Sequence, residues 1–179
     1  SPENRARIIV EIVEGIRARC GEDFLLGLRL SPERFGLKLT EIRDLAAQML
    51  THPALDFLDM SLWDVRKEPT EAEFKGRSLM SYFADLPRSD VRLGVAGKIM
   101  TAAQARDALA AGADYVLIGR AAILHHDYPR KVEADADFAP IALPVTRAHL
   151  AAEGLSPTFI TYMNNWPGFV AQDQTEDAL

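Results

Sequence analysis

The sequence contains a single cysteine, Cys20, among its 179 residues. One thiol cannot form an internal disulfide, which excludes a disulfide-stabilised scaffold and favours a reducing, cytoplasmic setting. The sequence also lacks any run of about 18 apolar residues, and no charged segment followed by an apolar one opens it. We therefore expect a cytoplasmic protein with no membrane partner.

Basic residues are also fewer than acidic residues. The 20 Lys and Arg residues against 26 Asp and Glu residues give a formal charge of −6. Binding to a nucleic-acid backbone needs clustered basic residues, so we expect no nucleic-acid partner. The hydrophobic share of 48% and the charged share of 26% are typical of a soluble globular domain with a core of its own.

The first twenty residues have the pattern of an amphipathic helix from Pro2 to about Cys20. Ser1 and Pro2 suit a helix start, and Gly21 suits its end. The apolar residues recur at helical spacing, namely Ile8, Ile9, Ile12, Val13 and Ile16. The predicted polar face carries Arg5, Glu11, Arg17 and Arg19.

Strand-like and helix-like segments then alternate. The predicted strands are residues 24–30, 55–60, 91–95 and 114–118, and the predicted helices are residues 40–50, 78–86 and 101–112. Such alternation specifies βαβ units around a parallel sheet. A complete (β/α)₈ barrel takes about 250 residues, so this chain is too short for one.

The rhythm changes at residue 140, where prolines become frequent. Two short helices are predicted at residues 146–153 and 156–163, followed by a polar, frayed end at 172–179. We therefore divide the chain into residues 1–139 and a C-terminal extension, residues 140–179.

Two glycine-containing segments follow predicted strands. Ala96-Gly97-Lys98 follows the third strand, and Gly119-Arg120 follows the fourth. A glycine at such a turn lets the backbone approach a ligand, and the free N–H groups of the next helix favour an anion. Taken singly, each segment is weak evidence, because a glycine at such a turn more often reflects ordinary turn chemistry. The pair, each beside a cation, matches the phosphate site of many barrel enzymes.

Arg29 ends an otherwise apolar strand and needs a partner there. One interpretation is an ion pair with Asp59 or another carboxylate on the next strand. The other is a cation facing an electron-rich ligand. The sequence supports both equally.

Other candidates favour structural roles. His125 and His126 lack a third ligand at recognisable spacing, which predicts a surface pair and no metal site. Cys20 is expected to be an inert, partly buried thiol. The aromatic residues expected to serve packing are Trp63, Tyr162, Trp166 and Phe169.

Several motifs together resemble the old yellow enzyme family of NADH:flavin oxidoreductases. They are Glu3-Asn4-Arg5-Ala6-Arg7, Gly27-Leu28-Arg29-Leu30-Ser31-Pro32, Val95-Ala96-Gly97-Lys98-Ile99 and Asp114-Tyr115-Val116-Leu117-Ile118-Gly119-Arg120-Ala121. Their order and spacing also match, and the Trp166-Pro167-Gly168-Phe169-Val170 segment is similar to the tail of one branch. The resemblance implies an α/β fold, the C-terminal half (strands five to eight) of a (β/α)₈ TIM barrel with a helical extension.

The resemblance also implies chemistry. Family members use FMN to pass hydride from NADH or NADPH to a small-molecule acceptor such as an activated alkene. At matching positions, Arg29 would lie against the pyrimidine side of the flavin. The phosphate would be held by Ala96, Gly97, Lys98, Gly119 and Arg120. Lys98 replaces a glycine frequent there, which leaves the role of its side chain open.

The first four strands of the family's barrel have no counterpart in this sequence. The family's catalytic residues lie there, so no catalytic residue is assigned here. We expect a fragment whose partner is the N-terminal half of the same barrel, inactive alone and prone to form homo-oligomers. Two alternatives are a non-catalytic phosphate-binding half-barrel and another phosphate-binding barrel, such as a sugar-phosphate isomerase-like or IMP dehydrogenase-like enzyme. The Arg-Leu-Ser-Pro motif and the tail favour the flavin enzyme over the latter.

Overall fold

The computed structural model describes residues 1–172, and most of the predicted frayed end lies outside the described residues. The strands are Gly27–Leu30 (β1), Phe57–Ser61 (β2), Arg92–Ala96 (β3) and Tyr115–Leu117 (β4). The helices are Pro2–Cys20 (α1), Leu39–Leu50 (α2), Ser81–Ala84 (α3), Ala102–Ala110 (α4), Arg120–Leu124 (α5), Tyr128–Ala134 (α6), Arg147–Ala152 (α7) and Pro157–Tyr162 (α8). Short 3₁₀ turns occupy Ala72–Phe74 and Met163–Asn165.

The four strands form one parallel sheet in the order β1-β2-β3-β4. The predicted alternation of strands and helices is confirmed, and the carboxyl ends of the strands meet at one edge of the sheet. Arg29 pairs in register with Asp59 near that edge, and Ala96 pairs with Leu117. In parallel α/β folds, this edge carries the functional loops.

The first strand is shorter than predicted. Pairing with β2 starts at Gly27, opposite Phe57. Before it, Phe24 and Leu25 are 47% and 72% exposed. The Leu26 N–H donates to the carboxylate of Asp56, 30 residues along the chain, at 2.6 Å, so a side chain and not the sheet uses this donor. The continuous apolar run in the sequence therefore predicted too long a strand.

Helix α1 has the predicted bounds but a different set of buried residues. The Ser1 hydroxyl accepts a hydrogen bond from the Asn4 N–H, as expected of a helix cap. Ile8 and Ile12, predicted on the apolar face, are 62% and 54% exposed. Arg17, predicted on the polar face, is buried, because its guanidinium binds backbone carbonyls between α1 and β2.

The core that fixes the sheet lies on β2, β3 and the helices beside them. Its fully buried members include Leu58, Met60, Leu93 and Val95 from the strands, Met49 and Leu50 from α2, and Phe83 from α3. Burying each such side chain contributes about 2 kcal/mol. These contacts hold the strand ends, and the loops that follow them, in place.

The chain divides into two compact units. The first comprises residues 1–99 with 104–118 and contains the sheet. The second comprises residues 100–103 with the chain from 119 onward. It has its own small core, in which Leu124, Leu150, Ile160 and Phe169 are buried. Among the helices of residues 1–172, none has the length and apolar character needed to cross a membrane.

Candidate functional site

Arg29 lies near the carboxyl end of β1 and binds two side chains of β2. Its Nη1 is 2.9 Å from Oδ2 of Asp59, and its Nη2 donates to the Ser61 hydroxyl at 3.0 Å. The ion pair with Asp59, one of the two interpretations that the sequence left open, is therefore present. The Arg29 side chain nevertheless stays 55% exposed, so the ion pair leaves part of the guanidinium available.

Asp59 is the buried member of this pair. Its side chain is 5% exposed, and its second oxygen, Oδ1, is buried with no hydrogen-bond partner among residues 1–172. Burial raises the pKa of this carboxyl, and the nearby charge of Arg29 offsets only part of that effect. In the sequence, Asp59 was a candidate only as a partner for Arg29. A charged residue inside an apolar strand was the signal that could have singled it out.

Tyr115 fills the space beside Asp59 on the same face of the sheet. Its ring covers Gly94, where a Cβ atom would stand 2.2 Å from the ring carbon Cζ. The Tyr115 hydroxyl is buried and has no hydrogen-bond partner in the described part of the chain. Burial, with smaller contributions from Asp59 and Asp114, raises the pKa of Tyr115 to about 12. The hydroxyl therefore keeps its proton at neutral pH.

Gly97 joins the loops that follow β2 and β3. A Cβ atom at this position would lie 2.7 Å from the Asp64 backbone nitrogen. The Gly97 carbonyl accepts a hydrogen bond from Val65 at 3.1 Å, and the Ala96 carbonyl accepts one from Leu62 at 2.8 Å. This contact between loops gives Gly97 a packing reason in addition to the ligand approach inferred from the sequence.

Lys98 occupies a backbone conformation that favours glycine, with φ of 48°. A glycine would adopt this conformation without the strain that a lysine side chain meets there. The Lys98 ammonium lies 3.3 Å from the Asp64 carboxylate and is 54% exposed. For Asp64, the effect of burial is outweighed by bonds from the Arg66 N–H and from Lys98, so its pKa is lowered. The Lys98 charge is partly neutralised within the protein.

Gly119 and Arg120 open helix α5 in the second unit. A Cβ atom on Gly119 would meet no atom within 4 Å, so open space surrounds this backbone. Nowhere in residues 1–172 does the Arg120 side chain find a hydrogen-bond or salt-bridge partner. A cation without an internal partner beside an open backbone segment suits an anionic ligand.

Three residues in the loops after β1 and β2 have a strained backbone that their sequence did not predict. Arg34, Phe35 and Trp63 all have positive φ, at 80°, 54° and 62°. The Arg34 guanidinium carbon lies 3.6 Å from the Trp63 ring centroid. Non-glycine residues in this conformation cluster at functional sites. Their residue types do not indicate that their φ is positive.

The predicted surface pair of histidines is wrong for one member. His126 is exposed and bonds Glu153 at 2.8 Å. The His125 side chain is only 12% exposed, and its Nε2 accepts from the Ile141 N–H at 3.0 Å. Potential ligand atoms of His125, His149 and Glu153 lie within 4.8 Å of one another. Because Nε2 of His125 accepts from Ile141, the proton of the neutral ring is on Nδ1. Nδ1 is the nitrogen that faces Glu153. A metal bound there would need Nδ1 to be deprotonated.

Of the cysteine and the aromatic residues that remain, some side chains are buried and others are exposed. Cys20 is exposed, so the expected partial burial of its thiol is wrong. Phe169 is buried in the second unit, as the packing interpretation predicts. Tyr162 and Trp166 are 52% and 42% exposed and contact each other edge to face at 5.0 Å.

Comparison with known proteins decides the family. The profile of the NADH:flavin oxidoreductase / NADH oxidase family matches residues 1–137. The chain belongs to this family. The membership confirms the resemblance inferred from the motifs. No curated protein matches the sequence.

Solved structures of the same family share the fold. Morphinone reductase in complex with tetrahydroNAD superposes with a TM-score of 0.59 at 25% identity, and a point variant of that protein gives 0.56 at 24%. Each comparison covers 100% of this chain and 44% of the other. The parallel sheet with its helices is thus part of a TIM barrel, and the chain spans less than half the length of these oxidoreductases.

Proposed function

We propose that this chain is the part of an FMN-dependent NAD(P)H oxidoreductase that contains strands five to eight of the barrel. The proposal includes a small-molecule acceptor such as an activated alkene, a cytoplasmic setting and a preceding segment that completes the barrel. The observation that carries it is Arg29, which lies in a segment that resembles a family motif, within the residues that the family profile matches, and presents a half-exposed cation at the carboxyl edge of the sheet.

Two cations of this chain and one open backbone position support FMN as the cofactor. Arg29 has five N–H donors, and its contacts with Asp59 and Ser61 leave donors for a ligand. Arg120 has no internal partner in residues 1–172, and Gly119 is open. An electron-rich ring edge suits Arg29, and a phosphate suits Arg120.

FMN supplies hydride transfer between a nicotinamide and the acceptor. Arg29 would bind the N1/O2 edge of its pyrimidine ring, where negative charge grows on reduction. Arg120 would hold the phosphate with its guanidinium, and Ala96, Gly97 and Gly119 would offer backbone groups. Lys98 would contribute less than a free cation, because Asp64 shares its charge. We assign no acid, base or nucleophile to this chain and propose that it is inactive alone.

Replacing each arginine in the full-length protein tests these roles. The phosphate is anionic in both redox states, so Arg120→Ala should chiefly weaken FMN binding. The N1/O2 edge becomes more negative only on reduction, so Arg29→Ala should lower the flavin midpoint potential with a smaller effect on the FMN dissociation constant. Potentiometry and flavin titration measure both. An unaltered potential in Arg29→Ala, with a lowered melting temperature, would show that Arg29 is only structural.

A further inference from the structure

One row of residues crosses the sheet in register from β1 to β4. Arg29 pairs with Asp59, Asp59 with Gly94, and Gly94 with Tyr115. Neighbours in such a row share one face of the sheet. Gly94 has no side chain, and the Tyr115 ring occupies its place. Asp59 therefore sits between a cation on one side and an aromatic ring on the other.

Stability alone does not explain Asp59. A buried carboxylate is costly unless its oxygens are well partnered, and replacement by an apolar residue is often neutral or stabilising. Only Oδ2 has a partner, Nη1 of Arg29, while Oδ1 is buried with no partner in residues 1–172. The one polar contact that the carboxylate makes among residues 1–172 is with the guanidinium of Arg29.

The exposed end of Arg29 depends on that contact. The other contact of its guanidinium is with the neutral Ser61 hydroxyl at 3.0 Å. The Asp59 contact joins two opposite charges 2.9 Å apart, whereas the Ser61 contact joins the guanidinium to a neutral group, so the Asp59 contact adds a Coulomb attraction that the Ser61 contact lacks. Without Asp59, a side chain that is 55% exposed would sample many rotamers.

We propose that Asp59 is the positioning residue of Arg29, fixing its guanidinium at the carboxyl edge of the sheet for the pyrimidine edge of FMN. This rests on the proposed function for the identity of the ligand. The geometry of the pair stands without it. A fixed cation favours the charge of reduced flavin more than a mobile one, because no reorganisation is needed when the charge develops.

Two substitutions separate positioning from charge in the full-length protein loaded with FMN. Asp59→Asn and Asp59→Ala remove the same negative charge, but only asparagine can accept a hydrogen bond from Arg29. We expect the equilibrium ratio of reduced to oxidised FMN to be about tenfold lower in Asp59→Ala than in Asp59→Asn. For a two-electron couple, this is a midpoint about 30 mV lower.

The same pair of substitutions in an Arg29→Ala background is the control. There, asparagine and alanine at position 59 should give equal midpoint potentials, because no guanidinium is left to position. Equal potentials with Arg29 present would overturn the proposal, and so would a difference that persists without Arg29. Asp59→Leu, similar in shape to asparagine but with no acceptor, replaces Asp59→Ala if that variant does not fold.

A second readout needs no flavin. The Nε–Hε NMR signal of Arg29, assigned through its loss in Arg29→Lys, should be ordered in the wild type and in Asp59→Asn and mobile in Asp59→Ala. If the full-length protein binds no FMN, the proposed function fails while this signal still decides the role of Asp59. An equally ordered Arg29 in Asp59→Ala would overturn the positioning role.

Discussion

Glu33 is buried in the loop after β1 and bonds the loop after β2. Its carboxylate accepts hydrogen bonds from the Lys67 ammonium and from the Thr70 N–H and hydroxyl. Burial alone would raise the pKa of Glu33, but these bonds outweigh it and lower the pKa below the usual 4.5. The ionised form of Glu33 thus joins the two loops that flank Arg29.

This arrangement predicts a pH-dependent contribution to stability. A carboxyl whose pKa is lowered by folding stabilises the protein above its unfolded pKa and loses that effect as pH falls through its folded pKa. Glu33→Gln should lower the free energy of unfolding by about 2 kcal/mol at neutral pH. The difference from the wild type should shrink as pH falls below 4.5. Urea unfolding across this range measures it.

The exposed Glu73 provides a matched control. Glu73→Gln should unfold like the wild type at every pH. A deficit in Glu33→Gln that is constant with pH would contradict an ionised, hydrogen-bonded Glu33.

At the scale of elements, Arg17 links the end of α1 to the starts of β1 and β2. Its guanidinium donates to the carbonyls of Gly21, Phe24 and Ala54 and to the Asp56 carboxylate, at 2.7 to 3.0 Å. Arg17 thereby satisfies backbone groups that no helix or strand uses.

Replacing Arg17 with methionine keeps an apolar stem but removes every donor. The buried Ala54 carbonyl and the part-buried carbonyls of Gly21 and Phe24 would then lose this donor, so Arg17→Met should lower the free energy of unfolding by about 3 kcal/mol. Arg17→Lys should recover less than half, because one ammonium cannot reach all these acceptors. Arg19→Met, at an exposed position two residues away, should change stability by less than about 0.5 kcal/mol. Equal urea midpoints for Arg17→Met and Arg19→Met would contradict this role.

Residues that cap helices agree with the predicted ends of α1, α7 and α8, whereas α6 was not among the predicted helices. Ser1, Gly21, Thr146 and Ser156 act within their own turns, so local sequence predicts them, and all four lie at helix ends in the structure. Partners distant in sequence were not predictable. Arg17 was assigned to a polar face because its acceptor on Ala54 lies 37 residues away.

The site was predictable to the same extent. Motifs located Arg29, Gly97 and Gly119 after or within the right strands, because strand ends are read from local pattern. The half-burial of the guanidinium, the unpartnered oxygen of Asp59 and the positive φ of Trp63 depend on tertiary packing. No residue type alone encodes them.

At the scale of the whole molecule, the parallel sheet has two unpaired edges in the described residues, β1 and β4. Exposed edges promote association unless something covers them. Solved relatives extend well beyond this chain, which matches only 44% of their length. Closure of a barrel removes both edges.

Residues 1–179 expressed alone should therefore self-associate, whereas the full-length protein should not aggregate. Sedimentation velocity over a range of concentrations distinguishes the two, and thermal melting of the same samples reports cooperativity. A stable, sharply melting monomer of the 179 residues alone would count against the partial barrel and favour a self-standing phosphate-binding domain.

The most direct measurement is the FMN content of the full-length protein after gel filtration, from its visible spectrum and from released flavin. The proposed function predicts a yellow protein with about one FMN per polypeptide that is bleached by NADH or NADPH without oxygen. A colourless protein that takes up no added FMN would contradict it.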